Sequence, residues 1–297
     1  MKPIDMMLVG AQKAGTTSLH NYLAEHPSIT SHPQKEFTYF QEEALFQKGY
    51  QAIFDTYFKD NQDNKLIAKS ATLANHSKGL ERLAQHSPNC HLVLLVRNPV
   101  ERAYSSYTME QGNGWVEEPF DNLQSIIEQD NQQHLFYRLF IELGLYQQQL
   151  EKMLTYFPAE QIHIFLFKDL CKDPKQICAT LFEQLAISPD FDPQTERVHN
   201  RTGKVRSQRV AKALLNLRQG NNPLKRLAKA FLPTAFYHKL GHKVMQTNTT
   251  TERHEAMSPA LYQFLHHYFQ PHNKAFQAAT KLDLAHWEPI PPSDDLT

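Results

Sequence analysis

A short loop near the amino terminus carries the side chains best suited to chemistry in this chain. The apolar run from Met6 to Val9 predicts a buried strand, and the apolar spacing over Thr16 to Glu25 predicts a helix after the loop. Gly10 and Gly15 bound the loop and free its backbone angles. Because the first turn of a helix has unpaired N–H groups and the positive end of the dipole, this segment predicts an anion site.

The position of the loop lysine indicates which anion is bound. In a nucleotide-hydrolysing P-loop protein, the lysine directly follows the second glycine, and the next serine or threonine holds Mg²⁺. Here Thr16 follows Gly15, and Lys13 lies two residues before that glycine. We therefore expect an anhydride-type donor whose charge is neutralised by lysine rather than by magnesium. The alternative is an ordinary strand-turn-helix with a surface lysine. The predicted loop contacts are Lys13, Ala14, Gly15, Thr16, Thr17 and Ser18.

A second anion-binding cluster follows the most apolar stretch of the sequence. The run from His91 to Arg97 does not alternate, which predicts a strand covered on both faces, and Arg97 ends it. In the helix predicted next, Arg102 and Ser105 are three residues apart and share one face. An arginine fork beside a serine hydroxyl suits a phosphate monoester, although a capped helix with surface charges is the alternative. Two such sites fit a ligand with two separated phosphate groups.

Strands and helices alternate through the first two hundred or so residues. This alternation predicts right-handed βαβ units and an α/β, P-loop-like three-layer fold, in which helices flank a central parallel sheet. Ligands of such sheets bind beyond the carboxyl ends of the strands, where Lys13, Lys69 and Arg97 would lie. Besides the segments above, the predicted strands are 66–70 and 161–167, 28–31 is extended, and the predicted helices are 49–58, 78–86, 120–129, 135–157, 174–186 and 259–279.

The chain is interpreted as one domain over 1–297. We divide it into a cofactor-binding α/β core, 1–206, a helical cap with the C-terminal helices, 207–288, and a flexible tail, 289–297. The segment 207–245 is rich in lysine and arginine over a leucine-rich face. The simpler interpretation is a helical cap with a solvated face. The alternative is a lid that binds an anionic glycan or makes a peripheral contact with a membrane-borne glycolipid.

Composition limits the classes of function. The chain has 297 residues, and its 31 lysines and arginines balance 31 aspartates and glutamates, so the basic field expected for nucleic-acid binding is absent. Its 16 histidines show no metal-site spacing, and we expect no metal. Three cysteines, an odd number, favour a reducing compartment. Signal-peptide and membrane-span patterns are missing, which predicts a soluble cytoplasmic protein.

Taken together, these motifs resemble those of sulfotransferases that use 3′-phosphoadenosine 5′-phosphosulfate. The run Lys13 to Ser18 resembles the 5′-phosphosulfate loop of that family, and the run from Arg97 through Ser105 resembles its 3′-phosphate motif. More narrowly, the chain resembles the heparan-sulfate and bacterial carbohydrate sulfotransferases. The likeness covers most of residues 5–206.

The resemblance implies roles for further residues. Glu36 precedes an aromatic cluster, as the catalytic base does in those enzymes, and Lys69 matches in part a lysine that holds the sulfate. Lys204 and Arg206 fall where the family places a basic loop over the cofactor. The alternatives are a surface carboxylate paired with Lys35 for Glu36, and solvated charges for the other residues.

The expected activity is therefore a sulfuryl transfer. The donor would be 3′-phosphoadenosine 5′-phosphosulfate, the product 3′,5′-adenosine bisphosphate, and the acceptor a hydroxyl or amine of a carbohydrate or glycolipid. Lys13 would neutralise the leaving phosphate, and Glu36 would remove the proton of the acceptor. Two alternatives stay open. One is a P-loop kinase that turns over ATP with Mg²⁺, and the other is a non-catalytic nucleotide- or polysaccharide-binding protein.

Overall fold

One parallel sheet forms the centre of the described structure. The structure is a computed structural model that describes residues 2–32, 36–58, 64–195 and 257–288. Its strand order is β2-β3-β1-β4-β5, and every neighbouring pair is parallel. This arrangement confirms the predicted α/β fold with a central parallel sheet flanked by helices. The strands are β1 Met6–Gly10, β2 Ile29–Ser31, β3 Lys65–Lys69, β4 His91–Val96 and β5 Ile162–Leu166.

Helices connect these strands, and a further long helix lies near the carboxyl end of the described residues. That last helix confirms the one predicted from residue 259. A π-helical turn, Tyr137–Ile141, and a 3₁₀ turn, Glu142–Gly144, precede α7, and a 3₁₀ turn, Ala285–Trp287, follows α10. The helices are α1 Thr16–Ala24, α2 Glu43–Phe46, α3 Tyr50–Tyr57, α4 Ser77–His86, α5 Pro99–Asn113, α6 Asn122–Glu128, α7 Tyr146–Leu154, α8 Phe167–Lys172, α9 Pro174–Gln184 and α10 Pro259–Thr280.

The two middle strands are buried on both faces. Every residue of β1 is buried, as are the last five of β4, which is what their unbroken apolar runs predict. Leu8 of β1 lies opposite Lys69 on one side and Val93 on the other. Because the strands are parallel, Gly10, Lys69 and Val96 end at the same edge. The connection from β1 leads towards β2 and that from β4 towards β5, so a crevice opens between them.

The single helix predicted from 135 to 157 is wrong. Its first half is the π-helical and 3₁₀ turns, and Leu145 has φ −84° and ψ 70°, outside the helical region. Gly144 marks the break, because a Cβ there would lie 3.1 Å from both Phe269 and Pro99. The close approach of α10, which is remote in sequence, interrupts the predicted helix. The residues between 135 and 157 alone give no sign of this contact.

The described residues divide into two compact units. One comprises the described parts of 1–102, 141–199 and 264–297 and holds the whole sheet; the other comprises those of 103–140 and 200–263. The predicted division at residue 206 and the tail from 289 lie outside the described residues, so that division stays a prediction. None of the helices in the described ranges combines the length and apolar character that crossing a membrane requires.

Candidate active site

The loop between β1 and α1 is tied to the neighbouring strand. The Ala11 N–H donates to the Leu95 carbonyl at 2.7 Å, and the Ala14 N–H donates back to Ala11 at 3.1 Å. Lys13 and Gly15 have left-handed backbones, with φ of 71° and 90°. With these two left-handed residues in the loop, α1 begins at Thr16, and Gly15 is its N-cap residue. Glycine has no side chain to cap a helix, so no capping side chain occupies the first-turn N–H groups of α1, which lies just past the end of β1.

Gly15 is required here by space as well as by its backbone angle. A Cβ at this position would lie 2.8 Å from Cδ2 of Leu170 and 3.1 Å from Cδ2 of Phe167. Both residues belong to α8, which directly follows β5. The start of α8 therefore packs against the loop. Lys13, Thr17 and Ser18 are half-buried, so a ligand at this edge can reach their side chains.

Arg97 follows the last residue of β4 and belongs to the same edge. Its Nε and Nη2 both lie 3.0 Å from Oε2 of Glu101, one helical turn further along the chain. Its guanidinium carbon lies 5.1 Å from the ring centroid of Phe167. Because the Phe167 ring also packs against Gly15, one side chain lies beside both predicted phosphate-binding segments. The structure thus brings the Lys13 loop and Arg97 to one edge of the sheet.

Glu36 and Lys69 form an ion pair at the end of β3. Lys69 Nζ lies 2.7 Å from Oε1 of Glu36, and the other carboxylate oxygen accepts the Ala71 N–H at 2.8 Å. The lysine side chain is 1% exposed and the glutamate 31%. Lys69 is therefore not a solvated strand-end lysine. The segment carrying Glu36 is anchored because the Phe37 N–H donates to the Lys69 carbonyl at 2.7 Å, and because the rings of Phe37 and Phe40 are buried.

Two histidines pack behind the lysine. His32 Nε2 accepts the backbone N–H of Lys69 at 3.1 Å, and the His20 ring lies 5.0 Å from the His32 ring. Burial, together with the nearby His32 and Lys69, lowers the pKa of His20 to about 3. His20 is therefore neutral near pH 7 and adds no charge beside Lys69.

A comparison with protein families shows to which family the chain belongs. The sequence profile of the family described as "Sulfotransferase domain" matches residues 3–277. The chain belongs to the sulfotransferase family. The resemblance inferred from the sequence is confirmed. The matched range contains Lys13, Glu36, Lys69 and Arg97.

The individual relatives share only about a quarter of their aligned residues with this chain. This sulfotransferase is 26% identical over 193 residues to the human bifunctional heparan sulfate N-deacetylase/N-sulfotransferase 2, covering 62% of this chain and 22% of that protein. It is 24% identical over 201 residues to a similarly named protein of Caenorhabditis briggsae, covering 64% and 23%. The chain therefore spans less than a quarter of the length of these two relatives.

Solved structures confirm the fold. A sulfotransferase from Alicyclobacillus acidocaldarius aligns with a TM-score of 0.67 and 22% sequence identity, over 97% of this chain and 99% of that one. At this level of identity the alignment shows a shared three-dimensional arrangement.

For three predicted site residues of the sulfotransferase, the structure does not establish a position at this edge. Ser105 lies on α5, is half-buried and belongs to the second compact unit. Lys204 and Arg206, like the basic segment 207–245, lie outside the described residues. Their roles stay predictions. Within the described ranges, no group of three or more histidines, cysteines, aspartates or glutamates is arranged to hold a metal ion.

Other residues of the sulfotransferase site were missed by the sequence reasoning. Phe167 lies beside both anion-binding segments, and its position directly after β5 was a usable signal, because every strand end reaches this edge. Tyr146 bonds to the backbone of Arg97 and His32 to that of Lys69. No local pattern indicates either of these contacts.

Proposed function

We propose that this protein transfers the sulfuryl group of 3′-phosphoadenosine 5′-phosphosulfate to a hydroxyl or amine of a carbohydrate or glycolipid. The observation that carries the proposal is the pair of Glu36 with the buried Lys69, at the same sheet edge as the Lys13 loop and Arg97. A base, a buried cation and two anion-binding segments meet there. This set matches what a transfer from a doubly phosphorylated donor requires.

Donor binding is assigned to the two anion segments. The N-terminus of α1 and the ammonium of Lys13 bind the 5′-phosphosulfate, while Arg97 binds the 3′-phosphate, together with Ser105. In this proposal Ala14, Gly15, Thr16, Thr17 and Ser18 line the first site, and Lys204 and Arg206 close over the phosphates. Lysine rather than magnesium supplies the neutralising charge, because Thr16 occupies the position of the P-loop lysine.

Glu36 and Lys69 carry the chemistry of the acceptor side. Glu36 takes the proton of the attacking hydroxyl or amine as the acceptor atom bonds to sulfur in line with the leaving phosphate oxygen. Lys13 stabilises the charge that develops on that oxygen, and Lys69 holds a sulfuryl oxygen. The exposed third of Glu36 gives the acceptor access to the carboxylate, while the ion pair with the buried lysine fixes the orientation of that carboxylate.

The acceptor class is supported by the relatives. Two of them are named heparan sulfate N-deacetylase/N-sulfotransferases, which indicates a glycan acceptor bearing a hydroxyl or amine. A third relative, of Dictyostelium discoideum, is named a membrane-associated sulfotransferase and is 24% identical over 311 residues, covering 75% of this chain and 64% of that protein. We place the protein in the cytoplasm, and the three free thiols, Cys90, Cys171 and Cys178, support a reducing compartment.

The test is a direct transfer assay. The full chain is incubated with ³⁵S-labelled donor and either a desulfated heparan-type polysaccharide or a glycolipid extract, and labelled acceptor and released adenosine bisphosphate are both measured. Label in one acceptor, with equal release of bisphosphate, supports the proposal. Binding of the bisphosphate without transfer to any acceptor would instead indicate a binding protein. Turnover of ATP that depends on Mg²⁺ would indicate a kinase.

A further inference from the structure

One buried side chain holds both backbone groups of Arg97. The Tyr146 hydroxyl donates to the Arg97 carbonyl at 2.7 Å and accepts the Arg97 N–H at 3.3 Å. Tyr146 is 1% exposed, and its burial raises its pKa to about 12, so the hydroxyl keeps the proton that it donates. Arg97 lies just past the end of β4, and Tyr146 gives its backbone the two bonds that a further strand residue would have received.

The next residue is held from the carboxyl end of the described chain. The Asn98 side-chain oxygen accepts the N–H groups of Val100 and Glu101 at 3.0 and 3.4 Å and so caps α5. Its Nδ2 donates to the carbonyl of Trp287 at 3.3 Å. An amide can accept at one end and donate at the other, which is what this position requires and a carboxylate cannot supply.

Trp287 contacts both Asn98 and Tyr146, the residues that hold the backbone around Arg97. Its ring centroid lies 5.9 Å from that of Tyr146, and Phe276 of α10 packs on the same tyrosine at 5.7 Å. Both aromatic residues are buried. The segment around Trp287 therefore fixes Asn98 through a hydrogen bond, and it fixes Arg97 through the tyrosine ring.

We infer that Tyr146, Asn98 and Trp287 form a clamp that positions Arg97 for the 3′-phosphate of the donor. Tyr146 and Asn98 are positioning residues, because they act on the nucleotide only through Arg97. The inference rests on the proposed function, in which Arg97 binds that phosphate. A guanidinium at the end of a long side chain aligns with a phosphate only if its backbone is fixed, and a displacement of about 1 Å at such a site has large effects.

The hydroxyl of Tyr146 can be tested apart from its ring. Both of its hydrogen bonds go to Arg97, whereas the packing on Trp287 and Phe276 needs the ring alone. Tyr146→Phe keeps the ring and removes the two bonds. The matched control is Tyr50→Phe, because Tyr50 is equally buried and its hydroxyl has no hydrogen-bond partner among the described residues.

The measurement is the affinity of the full chain for adenosine 3′,5′-bisphosphate and for adenosine 5′-monophosphate, by calorimetry. Tyr146→Phe should weaken bisphosphate binding about tenfold, the effect of losing one or two ordinary hydrogen bonds, and change monophosphate binding less than about twofold. Asn98→Asp should reduce the same preference, because it keeps the helix cap and turns an oxygen towards the Trp287 carbonyl. Tyr50→Phe should leave both affinities unchanged.

The variant Arg97→Ala distinguishes a failure of the clamp from a failure of the proposed binding of the 3′-phosphate by Arg97. If this variant loses the preference for the bisphosphate while Tyr146→Phe and Asn98→Asp both keep it, the clamp is refuted and the phosphate assignment stands. Equal losses for both nucleotides in the two clamp variants would also refute it, since that is the result of general destabilisation. If Arg97→Ala keeps the preference, the assignment of the 3′-phosphate is wrong and the clamp falls with it.

Discussion

The ammonium of Lys69 lies 2.7 Å from the carboxylate of Glu36, and the two side chains differ greatly in exposure, 1% against 31%. The lysine is enclosed by protein, with His20 and His32 behind it. The carboxylate lies at the surface of the site. Because of this difference in exposure, an acceptor can approach the Glu36 carboxylate, while the Lys69 ammonium that orients the carboxylate stays out of water.

Replacing Glu36 by glutamine should stop turnover and leave donor binding intact. Glutamine keeps the size of the side chain, and its one carbonyl oxygen can accept from either Lys69 or the Ala71 N–H, but it cannot take a proton at neutral pH. We expect kcat to fall about 10²–10⁴-fold, the usual contribution of a general base. The measurement is release of adenosine bisphosphate with a saturating acceptor, next to calorimetric affinity for the bisphosphate.

Glu81→Gln is the control for this variant. Glu81 is an exposed carboxylate on α4, so its replacement changes the net charge of the protein by the same amount at the surface. It should leave kcat unchanged. A Glu36→Gln protein that keeps the wild-type rate would remove Glu36 as the base.

Replacing Lys69 by methionine should lower both activity and stability. Methionine fills a similar volume but leaves the Glu36 carboxylate without its charged partner, which should cost about 1–3 kcal/mol of the free energy of unfolding. Loss of a group that stabilises the transferring sulfuryl should lower kcat about 10²–10³-fold. Urea unfolding and the transfer assay measure the two effects separately.

Lys65→Met is the matched control on the same strand. Lys65 begins β3, at the opposite edge of the sheet, and pairs with Asp5 at 3.3 Å with 39% of its side chain exposed. A partly exposed pair of this kind contributes about 0–1 kcal/mol, and we expect no change in kcat. If the Lys65 and Lys69 variants lost equal activity, the role of Lys69 at the sulfuryl group would be excluded.

The sequence was sufficient to predict the sheet and the placement of Lys13 and Arg97 at its edge, and the reason is physical. The strands at Met6 and His91 are buried on both faces, and such burial leaves an unbroken apolar run that needs no tertiary information to recognise. The parallel order then places Lys13, Lys69 and Arg97 at one edge. Local pattern and topology together therefore determine which residues meet.

The errors arose where remote residues decide the local structure. The predicted helix through Gly144 breaks because Phe269 packs within 3.1 Å of a Cβ at that position, and no pattern between 135 and 157 contains this contact. The ion pair of Glu36 was likewise not predicted, because the sequence left Glu36 open between a catalytic base and a surface carboxylate paired with Lys35. Only the fold brings Lys69, which is 33 residues further along the chain, to 2.7 Å from Glu36.

Removing the charge of Lys13 should abolish donor binding. Lys13→Ala keeps a Cβ on a left-handed backbone, so the conformational cost at φ 71° stays the same and only the ammonium and its stem are lost. We expect affinity for adenosine bisphosphate and kcat/KM for the donor to fall by about 10²-fold or more. Lys48→Ala, at an exposed position after α2, should change neither. Wild-type affinity of the Lys13 variant would refute its role.

The stability of the protein should fall in mild acid because of His20. Its pKa is lowered from 6.5 to about 3 in the folded protein, so below pH 6.5 the unfolded chain binds a proton that the folded chain does not. The free energy of unfolding therefore decreases as the pH falls through this window, by about 2 kcal/mol from this group between about pH 7.5 and about pH 5.

His20→Phe isolates that contribution. Phenylalanine is apolar and suits this buried position, and His20 Nε2 has no hydrogen-bond partner among the described residues, so the substitution removes only the side-chain hydrogen bond with Asn21. Urea unfolding at the two pH values should show a smaller decrease for the variant than for the wild type, while His163, whose burial lowers its pKa to about 4, titrates in both proteins and cancels. His267→Phe, at an exposed position on α10, should behave like the wild type. An identical decrease in the His20 variant would contradict this account.

Gly15→Ala should damage the donor site by crowding, and a second glycine separates crowding from backbone cost. Both glycines have positive φ, but Gly15 (φ 90°, ψ 9°) lies in the left-handed region, where an alanine costs about 1–2 kcal/mol. Gly49 (φ 81°, ψ 149°) lies at the edge of a region that is almost restricted to glycine, so the backbone penalty for an alanine there is at least as large. At Gly49 no described heavy atom lies within 4 Å of the new Cβ, whereas at Gly15 the Cβ would lie 2.8 Å from Leu170. We expect Gly49→Ala to lose stability alone. Gly15→Ala should in addition lose affinity for adenosine bisphosphate, because the start of α8 must move away from the loop. If calorimetry gave the same affinity for both variants, packing of α8 on the loop would have no part in shaping the site.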